Sequence, residues 1–167
     1  MTAKERYNEV HRKYMEVKCP TVVADGHYSQ PKYPKISTAN GLQMYIKNYL
    51  NWTGNHGERT NNMGRPIKKF APKMNIIMGT VQQVEIGTEW QKGTGTIGTS
   101  DVKGHINIPY QRFAIPCYFE VKIRKDKQSD EQIEYQCKVA KTGGLYVIVK
   151  TPDDFLKFYD DVMANRI

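Results

Sequence analysis

Apolar residues recur at helical spacing in the segment that follows Ser37 and Thr38. Either hydroxyl can cap a helix, and the pattern predicts one that runs to about Trp52. The apolar positions are three or four residues apart and therefore share one helix face: Leu42, Tyr45, Ile46, Tyr49 and Leu50. This amphipathic helix is expected to begin the buried core.

Residues 1–36, which precede this helix, have a weaker pattern of apolar positions. Residues 2–17 predict a polar, weakly amphipathic helix, and residues 18–35 contain Pro20, Pro31 and Pro34, which exclude a long regular element. We therefore expect residues 1–36 to form an extension that wraps the domain, and residues 37–167 to form the domain itself.

Several later segments have the composition or alternation of β-strands. Residues 58–61, 76–90, 101–108 and 114–124 are candidates, and the last two are expected to pair as a hairpin. Between the first two candidates, residues 62–73 (NMGRPIKKFAPK) combine glycine, prolines and cations and predict an exposed basic loop. The Gly- and Thr-rich run at residues 87–100 predicts a second loop.

The C-terminal third predicts a helix, a strand and a helix. Ser129 can cap a helix over residues 130–141, which Gly143 and Gly144 would end. Residues 145–150 (LYVIVK) are typical of a buried strand, and Pro152 favours the start of a final helix. The predicted order α, β, β, β, α, β, α indicates an α/β fold with a mixed sheet flanked by helices.

Charge is distributed unevenly along the chain. Residues 1–75 contain 13 Lys and Arg against 5 Asp and Glu, whereas the remaining residues contain 12 of each. The net charge of +8 therefore arises in the N-terminal half, and a basic surface of this kind favours a polyanion such as nucleic acid.

The cysteines and the hydropathy of the chain argue against four classes of protein: disulfide-linked, zinc-cluster, membrane-spanning and exported. Cys19, Cys117 and Cys137 are odd in number and form no CxxC pair, which argues against a disulfide framework or a zinc cluster. The chain has no apolar run of bilayer-spanning length, and its first residues are charged rather than signal-like. We expect a cytoplasmic protein with no membrane partner.

The candidate chemistry lies in two short segments, TSDVKG at residues 99–104 and FEVKIR at residues 119–124. In a strand, Glu120 and Lys122 project from one face while Phe119 and Val121 point to the other, and Asp101 joins the pair if its strand lies alongside. Two carboxylates supply the hard oxygen ligands that Mg²⁺ takes. Together with a lysine, they indicate phosphodiester hydrolysis.

The pattern SD, then EVK, then QSDEQ opening a helix before Gly-Gly and an apolar strand resembles the PD-(D/E)xK nuclease superfamily. The resemblance is to its virus-type replication-repair nuclease (VRR-NUC) branch, in a stand-alone phage-type form, and covers about residues 38–159. It implies a restriction-endonuclease-like fold and cleavage of DNA, in particular branched DNA, in replication, recombination or repair. It also implies a homodimer, because a two-fold junction matches a symmetric dimer.

The resemblance assigns roles to particular residues. Asp101 and Glu120 would bind Mg²⁺, for which Mn²⁺ can substitute, together with the Val121 carbonyl. Lys122 would be catalytic, with Gln132 beside it. Relatives often carry a metal-binding glutamate on the first helix, where this chain offers only Asn40 and Gln43. The expected nucleic-acid contacts are all cationic: Arg59, Arg65, Lys68, Lys69, Lys103, Lys125 and Lys127.

Other sequence features allow alternative interpretations. Glu-Val-Lys also occurs at residues 16–18, where it is expected to be a solvated helix end. GTGTIG at residues 93–98 matches a dinucleotide-binding fingerprint, but a strand-to-helix context is missing. The four histidines show no metal-ligand spacing. A noncatalytic nucleic-acid-binding protein and an RNA-cleaving nuclease remain the alternatives.

Overall fold

The computed structural model describes residues 1–60, 65–75, 80–91, 96 and 98–166. By contacts the chain divides into two units, one of residues 1–60 and 98–167 and one of residues 61–97. The first unit contains α1 (Ala3–Lys18), α2 (Pro20–Ala24), α3 (Ala39–Trp52), β1 (His56–Arg59), β4 (Val102–Asn107), β5 (Ala114–Val121), α4 (Asp130–Lys141), β6 (Leu145–Val149) and α5 (Pro152–Met163). The second contains β2 (Arg65–Asn75) and β3 (Thr80–Gln91).

The sheet of the first unit has the strand order β1-β4-β5-β6. β4 pairs antiparallel with both β1 and β5, whereas β6 pairs parallel with β5. A parallel neighbour needs a crossover connection, which α4 provides. The expected mixed sheet with flanking helices and the expected β4–β5 hairpin are therefore confirmed.

One face of this sheet packs against helices to form the core. Val102, Phe119 and Val149 are fully buried on that face. The rings of Tyr45 and Tyr49 of α3 contact Phe155 of α5 at centroid distances of 6.1 and 5.4 Å. Apolar burial on this scale is the main favourable term in folding, so the helices α3 and α5 hold the sheet from one side.

The N-terminal helix belongs to this core. Tyr7 of α1 is fully buried and stacks on Tyr45 at 4.9 Å. Arg6 donates to the Tyr49 hydroxyl at 2.8 Å and forms an ion pair with Asp160 of α5. Packing and charge therefore tie α1 to α3 and α5.

The second unit corrects the expectation of a basic loop. Residues 65–73 of the segment predicted as a loop belong to β2, which pairs antiparallel with β3 and has a register shift between Lys69 and Phe70. Residues 87–90, where the predicted strand and the predicted second loop overlap, belong to β3, as does Gln91, which was predicted as loop. Prolines and lysines are tolerated here because each strand of a two-stranded hairpin has one unpaired edge.

Most predicted boundaries hold within a few residues. Helix α4 begins with a capping box in which Ser129 and Gln132 satisfy each other's backbone N–H groups, and Gly143 after it has φ +77°. Strand β1 lies two residues earlier than predicted, and β5 ends at Val121.

Most of the dinucleotide-like segment at residues 93–98 lies outside the described residues. No described helix is long and apolar enough to span a bilayer.

Candidate active site

Asp101 lies at the entry to β4 and is fixed from two sides. Its Oδ2 accepts a hydrogen bond from the Val121 N–H at 2.9 Å, and its carbonyl accepts one from Thr60 at 2.9 Å. Because Val102 pairs with Phe119, Asp101 lies across from Glu120. The register of β4 and β5 thus brings together two acids that are 19 residues apart in sequence.

The chain approaches Asp101 along the first turn of α4. Gly98 has φ +79°, and a Cβ at this position would lie 2.5 Å from the Glu131 carbonyl oxygen. Only glycine fits this backbone conformation and this close approach. The segment before Asp101 is therefore held against the helix that supplies Gln132.

Glu120 and Lys122 share the sheet face opposite the core. Phe119 and Val121 are buried toward α3 and α5, as the period-two pattern predicts. Lys122 lies just past the end of β5, but its N–H donates to the Val149 carbonyl at 3.0 Å and so continues the ladder to β6. Because of this hydrogen bond, side chains continue to point to alternate faces of the sheet as far as Lys122.

These two charged side chains are almost inaccessible to solvent. Glu120 is 2% exposed and Lys122 is 6% exposed. The Lys122 Nζ lies 3.1 Å from Glu120 Oε1 and 3.6 Å from Asp126 Oδ2. A buried ion pair returns little or no net stability compared with apolar residues, which favours a functional reason for this one.

Gln132 connects the acid and the lysine. Its Oε1 accepts a hydrogen bond from Lys122 Nζ at 2.7 Å, and its Nε2 donates to Glu120 Oε1 at 2.5 Å. The same Oε1 accepts the Ser129 N–H at 3.1 Å in the capping box. The start of α4 therefore sets the orientation of both charged groups.

Two contacts at the site were missed by sequence reasoning. The Tyr146 hydroxyl of β6 donates to Glu120 Oε2 at 3.2 Å, and Asp126 approaches Lys122 from the loop after β5. Burial, and then the negative charge of Glu120, raise the pKa of Tyr146. The parallel register that sets Tyr146 beside Tyr118 has no local signal in the sequence, which is why the contact was not predicted.

Asn40 and Gln43 are the two polar residues of α3 that the sequence analysis considered, and only Gln43 lies beside Asp101. Gln43 is buried and lies close enough to the Asp101 carboxylate to lower its pKa, whereas Asn40 is exposed in the first turn of α3. A neutral amide therefore occupies the position beside Asp101.

Electrostatics favour a cation near the two carboxylates. Burial raises the pKa of Asp101, and the Val121 N–H and the Lys122 charge oppose this shift. Burial and the neighbouring Asp101 charge raise the pKa of Glu120 against the opposing effect of Lys122. Two carboxylates pushed toward protonation by burial are groups whose charged forms a divalent ion would stabilise.

The donor set suits Mg²⁺ better than a softer metal, because it consists of carboxylate oxygens. Among the described residues no three His, Cys, Asp or Glu side chains form a metal-binding group. Asp101 and Glu120 are the side chains that could hold an ion here. Mg²⁺ commonly binds through one or two carboxylates and keeps several waters, so two are sufficient.

The predicted nucleic-acid contacts divide between the two units. In the first, Arg59 is exposed and its charge acts on Asp101, Lys103 lies on β4, and Lys125 and Lys127 are exposed between β5 and α4. In the second, Lys68 and Lys69 pair with Glu85 and Glu89 at 2.8 and 2.6 Å, and Arg65 begins β2.

Comparisons with known proteins give no match for this chain. No model of a known family, no curated protein and no solved structure matches it. A functional assignment accordingly starts from the side chains that surround Asp101 and Glu120.

Proposed function

We propose that this protein is a Mg²⁺-dependent nuclease of the PD-(D/E)xK type, similar to the VRR-NUC branch. The observation that carries the proposal is the buried pair of Glu120 and Lys122, which Gln132 joins, with the partly buried Asp101 across from Glu120. A surface charge cluster would not need this degree of burial or this number of directed hydrogen bonds.

The order of elements around the group supports the same proposal. α3 precedes the three antiparallel strands β1, β4 and β5, and α4 then crosses to the parallel strand β6. A restriction-endonuclease-like core is our interpretation of this arrangement. In it, the acid-bearing ends of β4 and β5 lie beside the start of α4, where Gln132 is found.

Each residue then has a chemical role. Asp101, Glu120 and the Val121 carbonyl would hold Mg²⁺, which when bound polarises the phosphate and lowers the pKa of a water ligand. The Lys122 ammonium stabilises negative charge that develops on the phosphate oxygens. Gln132 holds that ammonium at a fixed position, and Gln43 and the Val121 N–H orient the Asp101 carboxylate.

The substrate we propose is DNA, in particular branched or otherwise structured DNA, and the active form a homodimer. The net charge of +8 and the exposed Lys125 and Lys127 beside the site support a phosphate-rich substrate. Sedimentation equilibrium tests the dimer, and a mass near that of one chain would exclude it.

A cleavage panel tests the activity. Wild-type protein is incubated with single-stranded, duplex and four-way-junction DNA in the presence of Mg²⁺, Mn²⁺ or EDTA. We expect metal-dependent cleavage that Asp101→Ala and Lys122→Ala abolish, while DNA affinity in EDTA changes little. Lys18→Ala, at the exposed Glu-Val-Lys, is the matched control and should cleave normally.

Contrary results have distinct meanings. A wild-type protein that binds DNA but cleaves none of the substrates with either metal is a noncatalytic nucleic-acid-binding protein. Cleavage that survives Lys122→Ala would come from a contaminating nuclease or another site, and the proposal would be wrong. RNA versions of the same substrates separate the ribonuclease alternative.

A further inference from the structure

The sheet face that carries Glu120 is covered in one part and open in another. Over β5 and β6, Tyr135 of α4 contacts Tyr118 and Tyr146 at centroid distances of 6.0 and 6.3 Å. Over β1 and β4, His56 and His105 are exposed, with ring centroids 6.2 Å apart. The open part of the face thus begins at Asp101 and follows β4.

Residues along β4 alternate between the core and this open surface. Val102, Gly104 and Ile106 are buried, whereas Lys103 and His105 face away from the core. From Asp101 to Asn107 the strand covers about 20 Å at ~3.3 Å per residue. The open surface is therefore a track that leads from the acid pair to the connection between β4 and β5.

That connection carries two exposed aromatic rings and a cation. Tyr110 is fully exposed, Phe113 is 69% exposed, and Arg112 between them is exposed as well. Tyr110 also has φ +66°, a left-handed conformation that is uncommon for a bulky residue. Strained backbone of this kind tends to occur at functional positions, and here it presents the ring to solvent.

The chemistry of the track favours nucleic acid over an apolar partner. Exposed aromatic rings flanked by cations are the features that bind unpaired bases, through stacking and phosphate contacts. Glu58 lies across from Lys103, so the charge of the track itself is modest. Stacking at the turn must therefore supply much of the affinity, with Lys103 and Arg112 contacting phosphates.

We propose that a single-stranded region of the DNA substrate lies along β4, with unpaired bases stacked on Tyr110 and Phe113. This inference rests on the proposed nuclease function, because the track is defined by its start at Asp101. It adds to that function that the part of the substrate bound beyond Asp101 and Glu120 is an unpaired strand rather than a duplex.

Fluorescence anisotropy in EDTA tests the proposal without cleavage. The probes are a labelled single-stranded oligonucleotide and the same sequence as a duplex. We expect tighter binding of the single strand, a Kd for it raised about fivefold or more by Tyr110→Ala, and about 25-fold or more when Phe113→Ala is added. Tyr110→Phe, which keeps the ring, should bind like wild type.

The matched control is Tyr14→Ala, which removes a half-exposed ring from α1. It should leave both Kd values unchanged. Because Tyr110 and Phe113 are exposed, the variants should keep the wild-type circular dichroism spectrum and melting temperature. Equal binding of single strand and duplex, wild-type binding by the double variant, or an equal loss in Tyr14→Ala would each overturn the proposal.

The cleavage panel separates this inference from the proposed function. If the wild type cleaves nothing but the aromatic variants lose single-strand binding, the DNA track stands and the nuclease assignment fails. If cleavage depends on Lys122 while the double variant binds and cleaves like wild type, the nuclease assignment stands and the track fails.

Discussion

The tripeptide Glu-Val-Lys occurs twice in this chain, with opposite surroundings. At the end of α1 the first copy is in solvent, with Val17 86% exposed and both charged neighbours exposed. At the end of β5 the second copy is buried, with Glu120 2% and Lys122 6% exposed. Identical local chemistry is therefore a solvated helix end in one place and a candidate catalytic group in the other.

The chemistry of the two copies therefore depends on the neighbouring residues and not on the tripeptide itself. Around residues 16–18 the described polar contacts are local, such as the Arg12–Glu16 pair at 3.2 Å. Around residues 120–122 the contacts come from distant parts of the chain: Asp101 at the entry to β4, Gln132 of α4 and Tyr146 of β6. Substitutions made in parallel at the two copies test this contrast.

The largest effect should be on cleavage. Glu120→Gln removes a proposed metal ligand with little change of volume, and we expect the single-turnover cleavage rate to fall by about 100-fold or more. Glu16→Gln makes the same change at the exposed copy and should cleave at the wild-type rate. Comparable activity in the two variants would remove Glu120 from the mechanism.

The next effect should be on stability. Lys122→Ala leaves the Glu120 carboxylate buried without its ammonium partner, and we expect the free energy of unfolding to fall by about 3–5 kcal/mol in urea titrations. Lys18→Ala should change it by about 0.5 kcal/mol or less, as is usual for an exposed position. A loss for Lys122→Ala as small as that for Lys18→Ala would mean that the pair is solvated.

Replacing both partners sharpens this result. The double variant Glu120→Gln with Lys122→Met removes both charges, so it should lose less stability than the two single changes together. Additive losses would show that the two side chains do not interact.

A smaller effect should come from the residue that connects the buried pair. Gln132→Ala removes the N3 side chain of the α4 capping box together with the bridge between Glu120 and Lys122. We expect a loss of about 2 kcal/mol in unfolding free energy, from the cap and from unsatisfied buried groups. Equilibrium urea unfolding measures it.

Glu5→Ala is the matched control for that measurement. Glu5 occupies the same N3 position in the capping box of α1, where no buried pair is attached. It should lower the free energy of unfolding by less than Gln132→Ala does. If both variants lose the same amount, Gln132 acts only as a cap.

The smallest effect on stability should come from the ion pair that joins α1 to α5. α1 is the helix that ends in the exposed Glu-Val-Lys at residues 16–18. The hydrogen bond from Arg6 is the main cause of the lowered pKa of Asp160. A lowered carboxyl pKa stabilises the fold above the unfolded value of about 3.9, and this contribution is lost as pH falls through the folded pKa. Asp160→Asn should therefore cost about 1 kcal/mol at neutral pH.

Urea unfolding over a pH series checks the sign. The difference between wild type and Asp160→Asn should shrink as pH falls and vanish once Asp160 is protonated in the folded protein. Asp161→Asn, its neighbour on α5, should show a smaller difference because Asp161 pairs with Arg166 and not with α1. A gap between wild type and Asp160→Asn that grows on acidification would contradict the assignment.

Much of the fold could be predicted because its signals are local. The apolar spacing and Thr38 cap of α3, and the Ser129 cap and Gly143 end of α4, act over a few residues and were interpretable in sequence. The β2 strand was mispredicted because Pro66, Pro72 and three lysines are typical of loops, and only pairing with β3 overrides that preference.

The period-two pattern alone predicted which residues share a strand face, and so placed Glu120 and Lys122 on one face with Phe119 on the other. Three features of the site became visible only in the folded chain: Asp101 lies across from Glu120, Gln43 rather than Asn40 lies beside Asp101, and Tyr146 hydrogen-bonds Glu120. Caps and side-chain periodicity depend on adjacent residues and can be recognised in sequence, whereas strand register and helix packing join segments that are distant in the chain.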